Sequence, residues 1–378
     1  GAAITTGDEN VAVGYNSAED LTSGGKNTLL GGYAARQLTD ADANTAVGYL
    51  AGGGSAGSQT TGDNNTSVGA DALGAVEDGH SNSAIGKNTL LSTTSGDYNT
   101  AAGFAALQNN STADGNTAVG GFAMQVNTTG ADSVAMGYQA LDANTTGSQN
   151  TAIGHGALSA NIDDSGSTAL GYRALYNSNY TTSATTIYNV ALGFQAGYSV
   201  STGTSNVIIG GNAGQAGTAL TTGDSNVLIG RDAQPGAADA ANRIVLGRNV
   251  QGNADDSFVI GNGSTDSAIA FGATSITAPS DVRYKENIES QQAGLSFIND
   301  LRPVTFDWKK KKDLPKDHRA YEDSEEREMN DKTNHGFIAQ EVKAVIDAHP
   351  EIADGFDMWS EDEADGRQRV GSAALIPI

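Results

Sequence analysis

The sequence contains no cysteine and only 6 prolines, and aromatic residues fill just 6% of its 378 positions. Without cysteine, neither disulfides nor thiolate metal sites can form. So few aromatic rings cannot fill one large core, but many thin stacked layers need none. No apolar run approaches the roughly 18 residues of a membrane span, and no signal peptide is visible. Cations are scarce too: 21 Lys and Arg stand against 44 Asp and Glu, a formal charge of -23. Residues 1–279 carry 7 of those cations against 22 carboxylates, and residues 280–378 carry 14 against 22. An acidic surface of this kind lacks the basic footprint of a nucleic-acid partner, and it argues against attachment to anionic lipid. Solubility at high local concentration is the plain reading of the charge.

Glycine is abundant, with 49 residues, and it is periodic. Asn44-Thr-Ala-Val-Gly48, Asn116-Thr-Ala-Val-Gly120 and Asn150-Thr-Ala-Ile-Gly154 are near-copies. The closing glycine of this motif falls at 14, 31, 48, 69, 86, 103, 120, 137, 154, 171, 193, 210, 230, 247 and 261. Ten of the fourteen intervals are 17 residues, and the others are 21, 22, 20 and 14. A fixed period of this length signals a stacked repeat. Seventeen residues cannot hold two helices, and the short β-compatible stretches are punctuated by Gly and Asn. The spacing predicts a parallel β-roll or β-helix over residues 1–272, with two short strands and two turns per coil. Coils stacked about 4.8 Å apart would make a shaft of roughly 70 Å. Alternation sends Val, Ile or Leu before the glycine to one face and the small residue before it to the other. Both faces are apolar or small, so both are expected to be buried, one inside the coil and one against another chain. Ala106, Ala140, Ala157 and Ala174, three residues after the glycine, suit a crowded interior. The motif's Asn is expected to form a ladder that satisfies turn backbone.

Several signals in this region point to chemistry only superficially. Gly52-Gly-Gly-Ser-Ala-Gly57 has dinucleotide-binding spacing without a strand–helix context. Gly25-Lys26-Asn27 and Gly86-Lys87-Asn88 lack the Ser or Thr of a phosphate loop. Gly-Asp-x-Asn at 7, 62, 96 and 223 lacks the nonapeptide calcium pattern, so turn chemistry explains it. Tyr49, Phe104, Phe122, Tyr138, Tyr172 and Phe194 recur near one position and read as a stacked ladder rather than a glycan stripe. No cofactor and no metal is implied.

The register is lost over 262–279, where Ala268 to Gly272 reads as a last degenerate strand and 273–279 as a linker. From Ser280 the composition changes: both tryptophans, Trp308 and Trp359, and most cations lie beyond it. Gln291 to Leu301 has helical spacing, with Leu295, Ile298 and Leu301 apolar. Val304 to Trp308 alternates as a strand. Lys309 to Asn330 reads as a charged, solvated loop or frayed helix. His335 is expected to open a helix that runs to about Ala348.

The coil motif resembles the head repeats of trimeric autotransporter adhesins, a left-handed parallel β-roll with commonly shorter repeats. The tail resembles a second family. Ser280-Asp-Val-Arg-Tyr-Lys-Glu-Asn-Ile288, Leu301-Arg-Pro-Val-Thr-Phe-Asp-Trp308, Gly336-Phe-Ile-Ala-Gln-Glu-Val342 and the segment from Val370 to Ile378 stand in the order found in peptidase S74. Members of that family are the self-cleaving intramolecular chaperones of phage tail fibres and tailspikes. Ser372 stands where the family usually has Tyr, and the family continues beyond the equivalent of Ile378 into a long helix. The resemblance implies a small α+β chaperone/autoprotease domain over 280–378. It also implies a homotrimer and a scissile bond between Pro279 and Ser280.

A serine needs a base to attack, and a lysine serves only when neutral, with its pKa well below about 10.4. The resemblance casts Ser280 as nucleophile and Lys285 as base, with Asp281, Arg283 and Asn287 as possible supporting groups. It further implies a virion appendage, assembled in the host cytoplasm, that meets a host-cell surface receptor or glycan. A bacterial trimeric surface adhesin is the alternative, but it predicts a membrane-anchor barrel, which this tail is not. A polysaccharide-degrading enzyme would need an inserted domain or a groove of carboxylates, and no departure from the period is long enough to be a domain.

Overall fold

The computed structural model describes residues 6–53, 59–179, 187–271, 295–316, 321–327, 331–349, 358–361 and 368–370. The chain divides into two compact units, Gly1–Pro279 and Ser280–Ile378. The first is a parallel β-solenoid of about fourteen turns. Its sixteen strands form a single sheet in sequence order, from Val11–Val13 to Asp266–Ala270. Neighbouring coils pair with the motif in register, as Thr100↔Thr117, Ala101↔Ala118 and Ala102↔Val119 show.

Among the described residues each coil contributes one three- to five-residue strand to this sheet, not the two short strands expected. The reason lies in the backbone after the motif glycine. Phe122 (φ 61°) and Met124 (φ 48°) are left-handed, and so are their counterparts Gln139 and Leu141 one coil on. Such residues cannot continue an extended strand. The coils are hydrogen-bonded there all the same. Phe122 N–H donates to Phe104 O in the preceding coil (2.9 Å) and Met124 N–H to Ala140 O in the following one (3.0 Å). Inter-coil bonding thus continues through the turn and offsets the cost of about 1–2 kcal/mol per left-handed residue.

The motif glycine is a point of close backbone contact between coils. Gly120 has φ +131°, and a Cβ built on it would lie 2.5 Å from Gly137 O and 2.7 Å from its carbonyl carbon. Inside each coil the core is thin: the strand's central alanine, the alanine three residues after the glycine and the following Leu or Met. Ala118, Ala123 and Met124 are all fully buried, as are Ala135, Ala140 and Leu141. The core conserves volume where its composition shifts. Ile208 replaces the strand alanine, and its branches fill space left by Gly197 and Gly214, whose added Cβ atoms would lie 2.9 and 3.4 Å from it.

The motif asparagines form the expected ladder. Asn99 N–H donates to Asn82 Oδ1 (2.9 Å), Asn99 Nδ2 donates to Ala113 O (2.8 Å), and Asn99 Oδ1 accepts from Asn116 N–H (3.0 Å). A second buried column, Asn110–Asn127–Asn144, lies seven residues after the glycine, with Nδ2–Oδ1 contacts of 2.9 and 2.8 Å. Its recurrence at 17-residue spacing is visible in the sequence but was not expected to be structural. In the first ladder Arg243 takes the asparagine's place, and its backbone N–H donates to Asn226 Oδ1 (3.1 Å). Its guanidinium donates to Pro235 O (2.7 Å) and Asp255 (2.8 Å).

The aromatic residues do stack along the coils. Phe104, Phe122, Tyr138, His155, Tyr172 and Phe194 form one column with centroid spacings of 5.2 to 5.8 Å. Where the residue after the motif glycine is itself Gly121, the next side chain, Phe122, supplies the ring. The degenerate final strand runs backwards: Asp266–Ala270 pairs antiparallel with Ser257–Gly261. A four-residue loop, 262–265, joins them, with Gly263 left-handed, and Asp266 Oδ1 accepts from Gly263 N–H (2.8 Å).

Gly120→Ala should destabilise the coil stack by about 3 kcal/mol or more, from the clash and the positive φ together. An exposed control, Thr129→Ala, should be near neutral; equal melting of the two variants would refute the close-contact account. Asn99→Ala leaves the buried Asn116 N–H without its partner, at about 1–3 kcal/mol, while Ala113 O keeps the Asn110 Nδ2 donor (3.0 Å). Hydrogen exchange of the Asn116 amide should accelerate before that of coils several turns away.

Candidate functional site

The second unit is built on two helices and two short strand pairs. Helix α1 (Leu295–Asp300) packs on α2 (Ala339–Ala348). Phe297 and Leu301 face Val342 and Ile346, and Met358 completes the buried cluster. Both faces follow the i, i+4 spacing of a helix. The expected apolar set for α1 is shifted: Leu295 is 77% exposed, and Phe297, not singled out in the sequence, is fully buried. Arg302 Nε donates to Glu341 (2.9 Å), tying the end of α1 to the first turn of α2. This pairing holds the Glu341 carboxyl below its ordinary range.

Val304–Phe306 is a strand, as expected, and it pairs antiparallel with Asn334–Gly336. The helix expected from His335 therefore begins later, at Ala339. His335 and Gly336 are claimed by strand pairing, and Ile338 remains extended (ψ 122°) as the N-cap residue. Helix α2 ends before His349, where the following proline disfavours helical geometry.

The strand pair and the start of α2 line an open cleft of about 690 Å³ with Phe306, Trp308, His335, Phe337 and Ile338 on its walls. The cleft is mostly apolar, with His335, Gln340 and Gln368 as its polar groups, and among the described residues no nucleophile with a base beside it lines it. His349 Nε2 lies 2.9 Å from Asp300, and its ring meets Phe297 edge-on, so that pair closes the helix interface. Among the described residues no group of three His, Asp or Glu side chains is placed to hold a metal ion. In the shaft, burial pushes the Asp142 carboxyl up, opposed by the Ser159 hydroxyl that donates to it (2.7 Å). Its neighbour in the next coil is thus a hydroxyl, not the second carboxylate of a glycosidase site.

The described residues of the charged insertion are largely exposed but paired. A 3-10 turn at Lys311–Asp313 lies against 322–327, with Lys311 N–H donating to Glu326 O (2.8 Å). Lys310 Nζ reaches Glu325 at 2.6 Å and Lys311 Nζ reaches Glu322 at 2.8 Å, and Lys312 also pairs with Glu325. Two runs of opposite sign at matching intervals were the sequence signal for this clip.

Ser280 and Lys285, the scissile residue Pro279, and Asp281, Arg283 and Asn287 all lie outside the described residues. The class is therefore set by the fold and by comparison: a β-solenoid followed by a small α/β unit. Residues 280–349 match the family model of peptidase S74, described as the chaperone of endosialidase. The similarity covers this stretch alone and supports an intramolecular chaperone of the tail fibre and tailspike type, with autoproteolysis an activity at the level of that family. The match begins at Ser280 and takes in α1, the strand pair and α2. No curated protein and no solved structure shows significant similarity to the chain.

Hydrogen bonds from Lys310 and Lys312 lower the Glu325 carboxyl to about 2. A carboxyl depressed in the folded state stabilises above its unfolded value, about 4.3, and loses that effect as pH falls towards 2. Proteolytic nicking between Lys312 and Glu325 should therefore accelerate as pH drops through this window, and also at high salt. Glu325→Gln should be nicked faster at neutral pH and show a weaker acid dependence. Indistinguishable pH profiles would remove the clip's role.

Proposed function

We propose that this chain is the shaft and maturation chaperone of a homotrimeric phage tail fibre or tailspike, a host-recognition appendage of the virion. The tail unit aligns three chains, the coils zip from that end, and the tail is then released by cleavage between Pro279 and Ser280. Ser280 attacks the carbonyl of Pro279 and Lys285, neutral in a desolvated setting, accepts its proton. Asp281, Arg283 and Asn287 assist, Arg283 as a candidate oxyanion donor. The observation that carries this reading is the family match that starts at Ser280, directly after a repeat whose layers are nearly identical. Identical layers can pair out of register, and an aligning module at one end prevents this. Its removal closes the route back, so the shaft is kinetically trapped rather than merely stable. Assembly in the host cytoplasm and a host-surface receptor or glycan as final partner follow from the same reading.

The test is intact-mass analysis of the natural full-length chain and two variants. Wild type should yield a tail fragment beginning at Ser280. Ser280→Ala removes the nucleophile and Lys285→Ala the base, so both should stay whole while still giving a trimeric native mass. Cleavage of Ser280→Ala at this bond, or a wild-type rate in Lys285→Ala, overturns the dyad. A monomeric native mass overturns the trimer.

A further inference from the structure

The outward face of the coil stack is four columns wide. From five residues before the motif glycine to one residue after it, exposure alternates. Tyr98, Thr100 and Phe104 are exposed and Ala102 partly so, while Asn99 and Ala101 are buried. The column just before the glycine is apolar in every coil, with Val13, Ile85, Leu170 and Leu192 between 43% and 55% exposed, so an apolar stripe runs the length of the stack. The other inner column is Thr or Ser through much of the stack, as at Thr45, Thr100 and Thr151, and Val or Ile towards its end, as at Val190, Val207 and Ile244. A soluble monomer rarely exposes a contiguous apolar patch beyond a few hundred Å².

We propose that this face joins copies of this chain about an axis parallel to the shaft, in register, with Phe104 against Tyr98 and Phe194 against Tyr188 of the next copy. The proposal rests on the homotrimer reading and adds the interface, its polarity and its register. Any rotation axis along the shaft brings one flank of the face against the opposite flank of a neighbour at the same level. The two flanks match level by level. In the column after the glycine, phenylalanine occurs only at Phe104 and Phe194. In the column five before it, tyrosine occurs only at Tyr98 and Tyr188, in those same two coils, and these rings are 70% and 64% exposed. Within one chain the members of each pair are six extended residues apart, about 20 Å, so their co-occurrence serves no contact of their own coil. Opposite Tyr172 the other flank has Gly166, and opposite Tyr49 it has Ala43, so large meets small. Charge agrees as well. The aromatic flank carries Lys87, Arg231 and Arg248 and no carboxylate; the other carries Glu9, Asp132 and Asp256, with Lys26 its one cation. A two-fold axis across the shaft would reverse coil order and lose every one of these matches.

The absence of cysteine makes the test clean, because introduced thiols are the only ones present. In Tyr98→Cys/Phe104→Cys and in Tyr188→Cys/Phe194→Cys, a short bis-maleimide should give covalent multimers up to the closed ring on denaturing gels. The four single variants should stay monomeric on those gels. The register control Tyr98→Cys/Phe194→Cys, offset by five coils and so by roughly 24 Å, should cross-link at least tenfold less. Self-linking of a single variant, equal linking in the register control, or no linking in either double variant overturns the interface. Native mass measured on the same samples separates the two levels. A trimer without these cross-links refutes this interface and leaves the trimer standing, whereas a monomer refutes both.

Discussion

Each coil of the shaft touches the next through bare backbone at its motif glycine, and the rest of the first unit is arranged around that contact. The glycine takes a positive φ and sits where a single added carbon would meet the next coil's carbonyl. Coil spacing is therefore set by backbone hydrogen bonding, not by side-chain size. With spacing fixed, every side-chain position becomes a column, and each column needs side chains that tolerate a copy of themselves one strand spacing away. Alanine does so in the core, asparagine by accepting from a backbone N–H of the coil ahead and donating to turn backbone there, and aromatic rings by stacking.

The interior is consequently thin and partly polar. Buried asparagine columns cost little because their amides are satisfied almost throughout, Asn144 Oδ1 being an exception, and they fix register: an asparagine slipped by one position would lose its contacts to both neighbouring coils. At Ile208 a larger hydrophobic residue enters beside the glycines Gly197 and Gly214. This explains how a chain so poor in aromatic residues folds into a long unit without disulfides or metal. Its stability is additive, layer by layer.

The tail unit follows ordinary globular rules instead. Two helices cross on a small cluster around Phe297 and Val342, and exposed ion pairs position its loops without adding much stability. Its chemistry, on the proposed reading, belongs to the residues just after the repeat ends. An assembly device of this kind uses its surface while the trimer forms and its nucleophile only once.

The sequence by itself determined the parallel solenoid, its period, the buried alanines, the asparagine ladder and the aromatic column, because each is a property of repetition. The family resemblance of the tail was legible for the same kind of reason, as several residue blocks in fixed order. Tertiary structure alone decided the rest. One strand per coil replaced two, because left-handed residues after the glycine are stabilised by bonds to neighbouring coils that no single repeat reveals. Phe297 took the buried place expected for Leu295, because the position of α2 selects which side of a short helix is covered. The strand at Asn334–Gly336 displaced the start of α2, because its partner at Val304–Phe306 lies thirty residues earlier in the chain. In each case the deciding partner is distant in sequence, and local propensity carries no information about it.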